Sequence, residues 1–272
     1  MDTLTLWQLA ALAAASALVG FSKTAVSGAN TISLAVFAAV LPARESTGVL
    51  LPILIAGDAI AVLVYRRHAH WPTLLRLFPA VAVGVVAGAA FMKGADDAMV
   101  RVLIGGILLF MAGVTVWRRN APGGSGTRGG AGVTAAGAGS DGGDTDEGAG
   151  GATGGRGVKA RSYGVLGGFT TMVANAGGPV MSLYLLSAGF RKLGFLGTSA
   201  WFFLVVNVSK VPLSVGLGLI DARSLLLDAA MLLFVLPGAW IGRACVGRID
   251  QRRFEQVVIG ATVLGGLQLL LW

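Results

Sequence analysis

The chain has 272 residues, of which 55% are hydrophobic and only 12% are charged. A soluble globular domain carries about twice that charged fraction, and the mean hydropathy here is +0.77, so the chain is an integral membrane protein. The basic residues that give the net charge of +8 lie mostly in short loops between apolar segments. In that position they orient helices in a membrane, so we expect the lipid bilayer as a partner and no nucleic acid.

Apolar runs long enough to cross a bilayer, about 20 residues each, recur along the chain. The first run, 4–41, is long enough for two passes or a hairpin. The fifth run, 162–188, is too long for one straight helix and too short for two full ones. The other runs each fit one crossing: 46–65, 73–92, 98–117, 195–219, 224–243 and 254–272. The predicted fold is therefore an all-α polytopic membrane protein.

Two of these runs are broken by polar and glycine residues. Residues 20–31 are GFSKTAVSGANT, and residues 168–179 are GFTTMVANAGGP. Irregular backbone persists inside a bilayer only where protein or water satisfies its N–H and C=O groups. Two such breaks at corresponding places in two halves are typical of a transporter binding site.

Residues 118–160, between the two sets of runs, are dominated by glycine, alanine, serine and threonine. A segment of this composition cannot bury enough apolar surface to fold. Its glycines do not form a phosphate-binding loop, because no strand precedes them and no helix follows in register. We expect an N-terminal transmembrane repeat at 1–117, a disordered glycine-rich linker at 118–160 and a C-terminal transmembrane repeat at 161–272.

The two halves match one another in order along the chain. The spacing between matched residues grows slowly, as small loop insertions would cause. Each match is weak by itself, but the ordered series indicates an internal repeat. The matched pairs are Gly20 with Gly168, Thr47 with Thr198, Gly84 with Gly238, Gly88 with Gly242, and Ile104 with Ile259.

The basic residues also select a topology. If the first run of each half is a hairpin that returns to the face it entered from, one face collects the loop 66–70, both ends of the linker, Arg191, Lys192 and the loop 248–253. By the positive-inside rule this face is cytoplasmic. Each half then has one broken helical hairpin plus three transmembrane helices, so the two repeats are inverted. The linker would be cytoplasmic, and both termini would lie outside the cell membrane.

Three charged residues lie deep in the apolar runs. Lys23 lies in the first broken segment, where an ammonium costs roughly 3 kcal/mol on insertion scales. It either faces a cavity and attracts an anion, or it snorkels to the interface or pairs with a carboxylate. Asp58 either carries a coupling proton or forms a structural pair, for instance with Lys23. Lys210 either counters an anion or belongs to such a charge pair.

Small polar residues surround Lys23 and recur in the second break. Helix N-termini at such breaks direct partial positive charge into the space between them, which favours an oxyanion. Close helix packing by small residues is the structural alternative. The predicted substrate-binding residues are Lys23, Thr24, Ser27, Gly28, Asn30, Asn175, Gly177, Gly178 and Pro179.

The apolar runs contain no catalytic or metal-binding motif. Neither an HExxH motif nor a Ser-His-Asp set occurs, and the single cysteine, Cys245, cannot build a thiolate metal site. We expect no enzyme activity, no cofactor and no resident metal. A cation permease that uses Asp58 and Asp228 is an alternative, which the scarcity of acidic and thiol ligands weakens. A membrane protein that does not transport is a further alternative.

Several motifs in both halves occur together in one known family. They are GFSKT at 20–24, LPARESTG at 41–48, Leu51-Pro52, Asp58, YRRHA at 65–69, GFTTMVANAGGP at 168–179 and Gly197-Thr198. In these segments the chain resembles the sulfite exporter TauE/SafE family. The resemblance implies a polytopic permease with two repeats that moves sulfite, sulfonates or related small organic anions. The long linker departs from the shorter connection of that family.

The residues and the resemblance together predict a secondary transporter that exports a small anion by alternating access. The expected partners are the anionic substrate and the bilayer. The oligomeric state is left open by the sequence, a homo-oligomer included.

Overall fold

The computed structural model describes residues 4–24, 30–120, 153–190 and 192–245, together with Val263, Leu267 and Leu271. No strand occurs among these residues. A 3-10 turn, Arg66–His68, follows the third helix. The helices are α1 Leu6–Thr24, α2 Asn30–Val40, α3 Ala43–Tyr65, α4 Trp71–Gly94, α5 Asp97–Asn120, α6 Thr153–Ala174, α7 Gly177–Ser187, α8 Lys192–Gly216 and α9 Ala222–Cys245.

Five helices of the described residues are long and apolar enough to cross a membrane: α1, α3 with its 3-10 turn, α4, α8 and α9. Large apolar side chains on their outer surfaces, such as Leu63, Leu233 and Trp240, are exposed. A helix that is apolar on its outer surface as well as its inner one suits a lipid surrounding. The predicted all-α polytopic membrane fold is confirmed.

The first broken segment folds as a hairpin of α1 and α2. The N–H of Asn30 donates to Ser22 Oγ at 3.1 Å, and Ser33 Oγ donates to the Ala15 carbonyl at 2.9 Å. As the chain advances along α2, its partners recede along α1, so the two helices are antiparallel. α2 has 11 residues and is about 16 Å long, or roughly half the hydrocarbon thickness.

The second broken segment folds in the same way, as a hairpin of α6 and α7. Gly177 lies against Thr171, and Val180 lies against Gly167, so α7 also runs back along the helix before it. The turn is made at Asn175, whose φ is 50°, a left-handed conformation that asparagine tolerates better than most residues. Like α2, α7 has only 11 residues.

Helices α3 and α8 pack against each other between the two hairpins and run antiparallel. Gly48, near the start of α3, approaches Leu219 just beyond the end of α8. Gly197, near the start of α8, approaches Tyr65 at the end of α3. The end of α3, its basic 3-10 turn and the start of α8 therefore share one face of the bundle.

Two outer helix pairs pack through glycine in matching seams. α9 packs along α1, and α4 packs along α6. A Cβ atom at Gly238 of α9 would lie 1.9 Å from the Ala17 carbonyl oxygen, and one at Gly84 of α4 would lie 2.1 Å from the Val165 carbonyl oxygen. Gly84 and Gly238 are partners in the sequence repeat, so corresponding contacts join the first half to the second at two places. The inverted relation of the halves stays a prediction.

Parts of the predicted domain organisation fall outside the described residues. Of the linker 118–160, residues 121–152 lie outside them, while α5 and α6 include 118–120 and 153–160. Most of the last predicted run, 254–272, also lies outside them. The domain boundaries and the disorder of the linker stay predictions.

Candidate functional site

A cavity of about 60 Å³ lies where the two hairpin tips meet α3 and α8. Since a buried water needs a cavity volume of about 10–15 Å³, this cavity has room for several waters or a small ion. Both hairpins contribute side chains to it. Its polar lining consists of Ser22, Lys23, Asn30, Thr31, Asp58, Thr171, Asn175, Ser199 and Asn207.

The cavity extends toward the face where α3 ends and α8 begins. Phe195 and Leu196, near the start of α8, line it together with Ala61 of α3. No described residue of α3 before Leu54 lines it. About three helical turns of α3 therefore separate the cavity from the opposite face, whereas it closely approaches the face of the basic turn Arg66–His68.

Lys23 and Asp58 form a buried ion pair at the cavity. Lys23 Nζ lies 2.5 Å from Asp58 Oδ1 and 4.6 Å from the ring centroid of Phe203, a cation–π geometry. Lys23 is in the last turn of α1, where a cation is favoured by the helix dipole. A structural pair of Lys23 with Asp58 is one of the alternatives that the sequence analysis left open for these two residues.

Asn207, which the sequence patterns did not single out, joins Asp58 to Lys210. Its Nδ2 donates to Asp58 Oδ2 at 2.7 Å, and its Oδ1 accepts from Lys210 Nζ at 3.2 Å. Lys210 Nζ also donates to the Thr171 carbonyl and to Asn175 Oδ1, both at 2.7 Å. A continuous set of polar contacts therefore runs from the first hairpin tip, across α3 and α8, to the second tip.

Asn175 fixes the second tip against α3. Its Nδ2 donates to the Thr47 carbonyl at 2.9 Å, and its backbone N–H donates to the Thr171 carbonyl at 3.1 Å. α7 begins two residues later, so its N-terminus faces the cavity through Gly178. A Cβ atom at Gly178 would meet nothing within 4 Å, which leaves the backbone open to a bound ion.

The structure does not bring every predicted contact to the cavity. Thr24 does not line it, and its hydroxyl donates to the Ala239 carbonyl of α9 at 3.0 Å. Gly177 packs against Thr171 within the second hairpin. Of the others, Pro179 lies in the first turn of α7, and Ser27 and Gly28 lie outside the described residues.

Asp228 is a second buried acid, but it does not line the cavity. Its carboxyl oxygens have no hydrogen-bond partner among the described residues. Asp58, the other residue of the cation-permease alternative, is paired with a lysine. The described ranges also contain no group of three or more His, Cys, Asp or Glu side chains that could hold a metal ion. The geometry therefore does not favour a cation site.

The fold and the cavity define a multi-pass helical membrane protein with a charged site among its membrane-spanning helices. The chain belongs to the sulfite exporter TauE/SafE family, whose sequence model matches residues 12–269. The resemblance seen in the short motifs is thereby confirmed. This family consists of membrane permeases for sulfite and other anions, which are transporters and not enzymes. No curated protein and no solved structure matches the chain.

Proposed function

We propose that this protein is a secondary permease that exports a small anion, sulfite or a sulfonate, across the cell membrane. The observation that carries the proposal is the charge at the meeting point of the hairpin tips. There the described residues place two buried or half-buried ammonium groups, Lys23 and Lys210, and one carboxylate, Asp58. The excess of positive charge favours an anion, as does the N-terminus of α7.

Alternating access is the mechanism that the packing supports best. α3 and α8 are corresponding helices of the two halves, and their antiparallel packing is what inverted repeats would produce. Rocking of one half against the other would then move the opening from one face to the other. The cavity approaches the basic face, which we take to be cytoplasmic. This geometry suits the state in which an exporter loads its anion.

Asp58 is the proposed coupling group. While it is ionised, it holds the ammonium of Lys23 at 2.5 Å. A proton on Asp58 would remove that attraction and raise the net positive charge of the site by one, so that the site could hold one more negative charge. The sequence has no nucleotide-binding motif, so a proton gradient or the membrane potential is the proposed source of energy.

Flux measurements on the purified protein in liposomes test the proposal. The panel contains sulfite, sulfoacetate, taurine-derived sulfonates and divalent cations, with protein-free liposomes as the control. We expect the protein to transport at least one of the sulfur anions and none of the divalent cations. The absence of flux for every anion would refute the proposal, and flux of a divalent cation in that case would favour the cation-permease alternative.

Gly178→Val should obstruct the cavity. The added side chain projects into open space at the N-terminus of α7, so it occupies room that an anion needs without disturbing the packing. We expect anion flux to fall about tenfold or more, which corresponds to about 1.4 kcal/mol. Gly106→Val is the matched control, because Gly106 is exposed on α5 and also has nothing within 4 Å. Equal flux in the two variants would remove Gly178 from the site.

The topology can be tested with single cysteines in a protein whose Cys245 is replaced by serine. His68→Cys, at the basic turn, and Leu196→Cys, in the cavity, should react with a membrane-impermeant maleimide only from the cytoplasmic side. Lys93→Cys, exposed near the end of α4, should react only from outside. Labelling of His68→Cys from outside would overturn the orientation, and a transported anion should protect Leu196→Cys.

A further inference from the structure

The protonation state of Lys210 follows from its hydrogen bonds. Its Nζ contacts the Thr171 carbonyl, Asn175 Oδ1 and Asn207 Oδ1 at 2.7, 2.7 and 3.2 Å. The two amides are oriented by their NH₂ groups, which donate to the Thr47 carbonyl and to Asp58. All three partners of Lys210 therefore only accept. A neutral amine has two N–H donors and an ammonium has three, so Lys210 is an ammonium.

Asp58 is ionised by the same reasoning. One carboxyl oxygen accepts from Asn207 Nδ2 at 2.7 Å, and the other lies 2.5 Å from the Lys23 ammonium. Both partners donate to the carboxylate, and neither offers an acceptor for a carboxyl O–H.

No further charge compensates this site among the described residues. α2 contains no charged residue, and Asp97 of α5 is bonded to Arg101. On α9, Asp228 does not line the cavity, and Arg243 makes no ion pair with Asp58. The basic turn Arg66–His68 is exposed on the bundle face. The polar network at the cavity thus holds one anion, Asp58, and two cations, of which Lys23 lines the cavity and Lys210 lies behind Asn175 and Asn207.

An uncompensated charge is costly in a low-dielectric interior, so the bound ion should cancel it. A singly charged anion does so, and a doubly charged anion leaves one negative charge in excess. We infer that the site selects singly charged anions, and that it takes a doubly charged anion only together with one proton, which Asp58 accepts. The inference rests on the proposed function and specifies the valence of its substrate.

Methanesulfonate and sulfate form a matched pair of probes, because both are tetrahedral and similar in size and they differ in charge. Neither titrates near neutral pH. Binding to the purified full chain is measured by calorimetry at several pH values. For the wild type, we expect methanesulfonate affinity to be independent of pH. Sulfate should bind more weakly at neutral pH and gain up to about tenfold per pH unit on acidification, as the uptake of one proton requires.

Variants change the charge of the site in steps. Asp58→Asn removes the negative charge, which raises the net charge of the site by one, and should bind sulfate tightly without pH dependence. Lys23→Met lowers the net charge by one and should weaken the binding of both anions. The double variant Lys23→Met/Asp58→Asn restores the wild-type net charge of the site and should again bind methanesulfonate. That binding would also show that the site is folded. Lys93→Met, which removes an exposed lysine, should behave as the wild type.

Equal, pH-independent affinities for the two anions in the wild type would overturn the inference, as would an unchanged preference in Asp58→Asn. The absence of binding by both probes also counts against it. The proposed function fails only if the liposome panel shows no anion flux, so the two failures are distinguishable.

Discussion

Lys23→Met should destabilise the protein by about 3–5 kcal/mol, the usual cost of removing one partner of a buried ion pair. The partner left behind, Asp58, is fully buried and would keep only Asn207 as a donor at 2.7 Å. Asp58→Asn should cost less, because Lys23 is 13% exposed and can extend its ammonium toward water. The double variant should recover most of the loss, since neither unpaired charge remains.

Thermal unfolding of the four proteins in one detergent measures this coupling as a double-mutant cycle. Lys93→Met controls for the loss of a lysine. Lys23→Met should also lower anion flux by about a hundredfold, which corresponds to about 2.7 kcal/mol. If Lys23→Met unfolds at the wild-type temperature, the pair contributes nothing to the fold. If its flux is also unchanged, Lys23 has no part in the site.

Much of the site was predictable because charge is rare in apolar runs. Lys23, Asp58 and Lys210 stand out against their surroundings, and the structure places all three in one network. The broken segments predicted the hairpins for a related reason. Glycine and asparagine in the place of leucine interrupt helical packing, and the chain reverses near these residues.

Asn207 was missed because a single amide in a helix resembles any small polar residue. The spacing of residues along α8 could have identified Asn207. Asn207 lies three residues before Lys210 and four after Phe203, so all three share one face of α8. Thr24 was predicted to contact the substrate, but its hydroxyl donates to a backbone carbonyl of α9 across a helix interface. The sequence does not distinguish such a hydroxyl from one that lines a cavity.

The glycine seams give the second large prediction. Gly84→Ala and Gly238→Ala should each destabilise the protein by about 3 kcal/mol, the upper part of the range for overpacking. The new methyl group would lie 2.1 Å from the Val165 carbonyl oxygen or 1.9 Å from the Ala17 carbonyl oxygen. These obstacles are backbone atoms, so no side chain can turn away and the helices themselves must separate. Helix association in lipid depends on such close packing, and separation loses it along the whole seam.

Gly106→Ala is the control, because Gly106 is exposed and has nothing within 4 Å. It should unfold at or slightly above the wild-type temperature, since alanine favours a helix over glycine by up to about 1 kcal/mol. Gly84 and Gly238 belong to different helix pairs, α4 with α6 and α9 with α1, so their effects should add. A loss at only one of them would mean that the halves are not equivalent in packing. Equal losses are expected if the two seams, each of which joins one half to the other, share one packing solution.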